Sequence, residues 1–160
     1  MRVRYIQDED FVNYKKPSMF IGIGTCDWKC CVEANIPITI CQNCELAKMQ
    51  EIDVSYEHIY QRYIKNFITN AIVIGGLEPF TQFEDICNLI NYFRTKDCND
   101  EFIIYTGYYE DEIADYIEQL SNYPNIIMKF GRFKPNETIH HDFVLGVNLI
   151  SNNQYAKQIS

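Results

Sequence analysis

The chain has 160 residues, a formal net charge of −8, 47% hydrophobic and 22% charged residues. That length fits one domain, residues 1–160, with a core of its own, because a chain of about 150 residues hides roughly 68–70% of its unfolded surface. The composition excludes wholesale disorder, and the acidic balance argues against nucleic acid as the main partner, since phosphate binding needs a basic surface.

The first ten residues, Met1–Asp10, lack the apolar stretch of a secretory signal. The longest apolar runs, Met19–Ile23 and Ile72–Ile74, are too short to cross a bilayer, so no membrane association is expected. Seven cysteines, an odd number in a chain with no export signal, read as cytoplasmic thiols and not as a disulfide framework. The expectation is a soluble cytoplasmic protein.

In chain order, Ser18–Gly24 is a short apolar strand that runs directly into Cys26-Asp-Trp-Lys-Cys30-Cys31 and then Cys41-Gln-Asn-Cys44. Ser55 is a helix N-cap, followed by Ile59, Tyr60, Tyr63, Ile64 and Phe67 at helical spacing. Asn70–Ile74 is a β-branched run fit for a buried parallel strand. It leads into the string Gly75-Gly76-Leu77-Glu78-Pro79. Phe83, Ile86, Leu89, Ile90 and Phe93 mark a second helix, with Thr81 or Gln82 near its start. The next strand is Glu101–Tyr105, ending at Thr106-Gly107; Ile113, Tyr116, Ile117 and Leu120 mark a third helix, and Asn125–Phe130 a further strand. A polar loop over Lys134–Asp142 precedes a last strand near Phe143–Ile150. Such alternation predicts an α/β fold with a mostly parallel sheet. Ligands of parallel sheets lie at the carboxyl ends of the strands, so the loops after the first three strands converge on one face.

Five cysteines between Cys26 and Cys44 are a metal signal. Cys26 and Cys30 are separated by three residues, Cys41 and Cys44 by two. Paired cysteines at this spacing fit a tetrahedral zinc site on Cys26, Cys30, Cys41 and Cys44 and an iron–sulfur cluster equally well. In Gly75–Pro79, two glycines admit close approach of a ligand to backbone. Pro79 forces Glu78 extended and so fixes the direction of its carboxylate and carbonyl. His140-His141-Asp142 reads as a solvated loop, Cys87 as packing on the second helix, and Gly22-Ile-Gly24 lacks the rest of a dinucleotide fingerprint.

A cysteine loop after one strand and Gly-Gly-x-Glu-Pro after the next together resemble the radical S-adenosylmethionine superfamily. Tyr105-Thr106-Gly107-Tyr108 with Glu110, and Ser151-Asn152-Asn153-Gln154 near the end, resemble strings of its anaerobic ribonucleotide reductase activating enzymes. The resemblance runs from about Ser18 onward and departs at one point. The superfamily has a third cysteine separated from the second by two residues; here that position is Glu33. Cys41, followed by Gln42-Asn43, matches the third position if residues are inserted between the second and third ligands. Cys31 and Cys44 are the rival ligands.

The resemblance implies a small partial (β/α) barrel in which Cys26, Cys30 and Cys41 hold a 4Fe–4S cluster that leaves one iron open to S-adenosylmethionine. Gly75, Gly76, Glu78 and Pro79 would then receive the methionine amino group. Thr106 would lie near the ribose or carboxylate, and Asn153 and Gln154 would either bond adenine or cap the last turn. The implied activity is an oxidoreductase, glycyl radical activating enzyme-like, that cleaves S-adenosylmethionine to a 5′-deoxyadenosyl radical. Its implied partners are a large anaerobic ribonucleotide reductase and an electron donor such as flavodoxin or ferredoxin. A different peptide or small-molecule substrate, and a non-catalytic zinc or cluster module, are the alternatives.

Overall fold

Period-two alternation in four β-branched runs decides which face of the sheet each side chain meets. The computed structural model describes residues 1–160. In chain order its elements are β1 (Arg2–Asp10), β2 (Ser18–Ile23), α1 (Lys29–Ala34), β3 (Ile52–Asp53), α2 (Tyr56–Lys65) and β4 (Ala71–Gly76). There follow α3 (Phe83–Arg94), β5 (Glu101–Tyr105), α4 (Ala114–Leu120), β6 (Ile126–Phe130), β7 (His140–Asp142), β8 (Val147–Leu149) and β9 (Tyr155–Gln158). The main sheet has seven strands in the order β3-β1-β2-β4-β5-β6-β9, and β7-β8 is a separate hairpin. The central four, β2-β4-β5-β6, run parallel, while β1, β3 and β9 add antiparallel edges. This is the expected α/β class with its parallel sheet.

Helices cover one face only. Ile21, Ile72, Ile74, Phe102, Ile104 and Met128 point toward it and pack with Ile59 and Tyr63 of α2 and Ile86, Leu89, Ile90 and Phe93 of α3. The alternate residues Phe20, Val73, Ile103 and Ile127 face the other side, where they meet Tyr14 and the hairpin residues Leu145 and Leu149. Lys15 N–H donates to the Leu145 carbonyl at 2.7 Å and fastens the hairpin to the loop after β1. No helix is long and apolar enough to cross a membrane.

Several sequence expectations are corrected. Ser55 does cap α2, its hydroxyl accepting from His58 N–H at 3.2 Å, but the helix ends at Lys65, so Phe67 lies beyond it and is 98% exposed. The last strand near Phe143–Ile150 is instead the small hairpin, whose turn needs Gly146 at φ +72. The strand that closes the sheet is the polar β9, and the charged β1 gave no period-two apolar signal to read. α3 does start after Gln82, as expected, and the Gln82 side chain pairs with both the N–H and the carbonyl of Arg2 (2.8 and 2.9 Å).

Phe93 is fully buried and meets Tyr60 and Phe102 edge-on at 5.1 and 5.3 Å. Phe93→Ala is expected to lower unfolding stability by about 3–5 kcal/mol, read from the denaturant midpoint at unchanged m-value.

Candidate metal centre and its cavity

The cysteine loop begins where β2 ends. Trp28 adopts a left-handed conformation (φ 59, ψ 22) and reverses the chain into α1, which has no side-chain N-cap. A six-residue helix is too short to hold itself in water; its fixation comes from outside. Arg132, just past β6 and 3% exposed, sends Nε and Nη2 to the two Glu33 oxygens at 2.9 and 3.0 Å. The same guanidinium donates to Glu112 Oε1 at 2.6 Å and to the Gly107 carbonyl, and lies over the rings of Tyr108 and Tyr109. Lys29 of α1 also bonds Glu112. Arg132 foremost holds the Glu112 carboxyl down to about 2. The helix that carries Cys30 and Cys31 is thereby tied to the carboxyl ends of β5 and β6.

Cys26, Cys30 and Cys41 line one cavity of about 400 Å³, a size that suits a cofactor-bound ligand. Gly76, Glu78, Thr106 and Gly107 line it from the loops after β4 and β5, and Gln154 from the turn before β9. The three loops expected to converge on one face do so. Gly75, Pro79 and Asn153 lie outside the lining. Gly75 sits under Tyr105 and Phe20, where an added Cβ would come within 3.2 Å of Tyr105 Cβ. Pro79 is buried at the start of a single 3₁₀ turn. Gly76 stands at φ +85, and its carbonyl accepts from the Asn43 side-chain amide, which joins the Cys41–Cys44 turn to the Gly-Gly turn.

Sulfur positions separate the cysteines. The Sγ atoms of Cys30, Cys31 and Cys41 lie within 4.8 Å of one another. Cys26 stands outside that trio, with its sulfur accepting from Trp28 N–H at 3.3 Å, and Cys44 bonds the Thr39 carbonyl. All seven cysteines are free thiols. Burial pushes the Cys26 thiol up to about 12, and Cys41 is raised by its bond to Cys30 and by burial. Metal binding must therefore displace protons, which it does readily when several thiolates share the cation. Thiol donors on the wall of a roomy cavity fit an iron–sulfur group.

Glu78, 6% exposed, is held by its own chain. Its Oε1 accepts from Phe80 N–H at 3.1 Å and from the Thr106 hydroxyl at 2.7 Å, and its Oε2 accepts from Gly107 N–H at 2.9 Å. The Thr106 hydroxyl in turn accepts from Tyr108 N–H. A carboxylate offers about four lone-pair sites, so Oε2 keeps one for a ligand. Of the two readings of Gln154, the structure contains the turn cap, Ser151 N–H donating to its Oε1 at 3.2 Å. Asn153 donates to Tyr109 and to the Arg132 carbonyl, and its buried Oδ1 has no partner.

Sequence reading missed two residues here. Lys129 is the one charged residue of the apolar strand β6; its amine lines the cavity and donates to the Gly131 carbonyl at 3.0 Å. Burial pushes its pKa down to about 7, opposed by Glu78 and Cys30. A lone lysine at the carboxyl end of an Ile-Ile-Met strand was the available signal. Arg132 carried none, because a lone arginine after a strand resembles any surface residue.

Burial pushes Glu78 up to about 7 from its ordinary 4.5, against the pull of its three donors. Between those two values the folded protein binds more protons than the unfolded chain, so this group's contribution lowers stability as pH rises from 4.5 to 7 and is constant above. Glu78→Gln should flatten that component, measured as the melting temperature of the metal-free protein at several pH values across the interval.

Residues 20–153 match the family model described as a 4Fe-4S single cluster domain. No curated protein and no solved structure matches the chain.

Proposed function

The chain belongs to the 4Fe-4S single cluster domain family, and we propose that it is a radical S-adenosylmethionine enzyme whose cluster is held by Cys26, Cys30 and Cys41. The observation that supports this reading most is the shared cavity: those three thiols line it together with the turns after β4 and β5. Three protein ligands on a four-iron cluster would leave one iron open, as catalytic metal sites keep an open position. A reduced cluster held there would supply one electron for cleavage of the sulfur–C5′ bond of S-adenosylmethionine, to methionine and the 5′-deoxyadenosyl radical.

The chain's own residues bind and orient. Gly76, at φ +85 and packed against Leu46, lets the turn after β4 bring Glu78 to the cavity, and the spare lone pair of Glu78 Oε2 accepts from the methionine amino group. Lys129, a buried amine on the same wall, donates to the carboxylate. Phe20, Tyr5 and Tyr105 add aromatic surface to the cavity lining, with Tyr5 and Phe20 stacked, and would keep water from the reacting carbon. The one-sided helix layer, with the cavity on the helix-free face, agrees with the core of a partial (β/α) barrel. Of the substrates, a glycine of an anaerobic ribonucleotide reductase fits the resemblance best. A domain this small has few elements with which to enclose a substrate, and a partner that inserts its own loop resolves that. A flavodoxin or ferredoxin in the cytoplasm would supply the electron.

Anaerobic reconstitution, reduction and addition of S-adenosylmethionine should yield 5′-deoxyadenosine. Product should fall to background in Cys26→Ala, Cys30→Ala and Cys41→Ala, and persist in Cys44→Ala. A full iron complement without cleavage overturns the enzyme reading, and a cleaving Cys41→Ala protein overturns the ligand set. A stable glycyl radical EPR signal on adding a candidate reductase separates that substrate from other peptides or small molecules.

A further inference from the structure

Cys31 has no part in the three-cysteine ligand set, and it does not line the main cavity. It is nevertheless 2% exposed and grouped with two of those ligands: the sulfurs of Cys30, Cys31 and Cys41 all lie within 4.8 Å, and Cys30 and Cys31 are 3.9 Å apart. A single zinc-class ion with bonds of about 2.3 Å holds tetrahedral thiolates roughly 3.8 Å from one another. The Cys30–Cys31 separation already has that value, and the trio needs to contract by no more than about an ångström. An iron–sulfur cluster spreads its ligands around a larger body. Cys26, which the cluster requires, stands outside this group and is engaged with Trp28 N–H.

We propose that Cys30, Cys31 and Cys41 form a three-thiolate site for one thiophilic divalent cation of the zinc class, occupied when the cluster is absent. Each thiol releases one proton as its sulfur–metal bond forms, nothing is oxidised or reduced, and the fourth position of the ion takes water. An all-thiolate donor set selects soft or borderline cations over magnesium and calcium, and it holds zinc more tightly than ferrous iron. The ion binding stands on the sulfur positions alone. A second consequence rests on the cluster assignment above: zinc and cluster share Cys30 and Cys41, so the two occupancies exclude each other and bound zinc opposes cluster assembly.

The test uses the full chain, stripped of metal and held under anaerobic reducing conditions, titrated with Co²⁺ and then with Zn²⁺ as competitor. Near-ultraviolet sulfur-to-cobalt absorption reports thiolate ligation, and native mass spectrometry gives stoichiometry. One equivalent should bind with three-thiolate intensity, and Zn²⁺ should displace it. Cys31→Ser, which keeps the volume of the buried side chain, should weaken binding by roughly tenfold or more, with Cys31→Ala as a second variant. Circular dichroism on the metal-free variants shows that they are folded. Cys26→Ala should bind cobalt as the native chain does while failing to assemble a cluster. Absence of stoichiometric binding, or loss of binding in Cys26→Ala with Cys31→Ser unchanged, overturns the proposal. The cobalt readout does not involve S-adenosylmethionine, so its outcome is independent of whether the loaded protein cleaves that ligand.

Discussion

Helices cover only one face of the central parallel sheet, and the position of each functional residue follows from that. With α2 and α3 packed on one side, residues at odd and even strand positions have distinct fates: one set builds the main core, the other faces the loop after β1 and the β7–β8 hairpin. Toward the carboxyl ends of the strands that second covering gives way to the cavity. The same alternation that buries Phe130 among the helices turns Lys129, one residue earlier, onto the cavity wall. Gly75 and Tyr105 lie on the same helix-free face, where glycine lets Tyr105 Cβ and the Phe20 ring close over the strand.

A short helix without a cap would leave the cysteines on a mobile loop. Arg132 removes that freedom by binding Glu33, Glu112 and the Gly107 carbonyl from one buried guanidinium, whose planar fork suits the bidentate contact. Asn43 does the same for the second cysteine turn by bonding the Gly76 carbonyl. The cysteine loop, the Gly-Gly turn and the strand ends are thus coupled through a few polar contacts around the cavity.

Much of this was legible in the sequence because it is local. β-branched runs gave the central strands, helical spacing gave α2, α3 and α4, and Ser55 announced its cap. The cysteines and the Gly-Gly-x-Glu-Pro string carry their chemistry in adjacent residues. Other features depend on contacts distant in sequence and were hidden. β1 is rich in charge because it lies near the sheet edge, and β9 is short and polar for the same reason. Arg132 meets Glu33 across ninety-nine positions, and nothing in either neighbourhood marks the pair. Spacing also could not show that Cys31, beside Cys30 in sequence, turns its sulfur toward Cys41 while Cys26 stands apart.

The central claim is an iron–sulfur cluster on Cys26, Cys30 and Cys41 whose open iron takes S-adenosylmethionine. Its most direct test is the EPR spectrum of the reduced, reconstituted protein recorded before and after that ligand is added. A change in the cluster's g-values on addition is the predicted result, because the ligand enters the coordination sphere of the metal. A fully loaded cluster with an identical spectrum in both samples would contradict it.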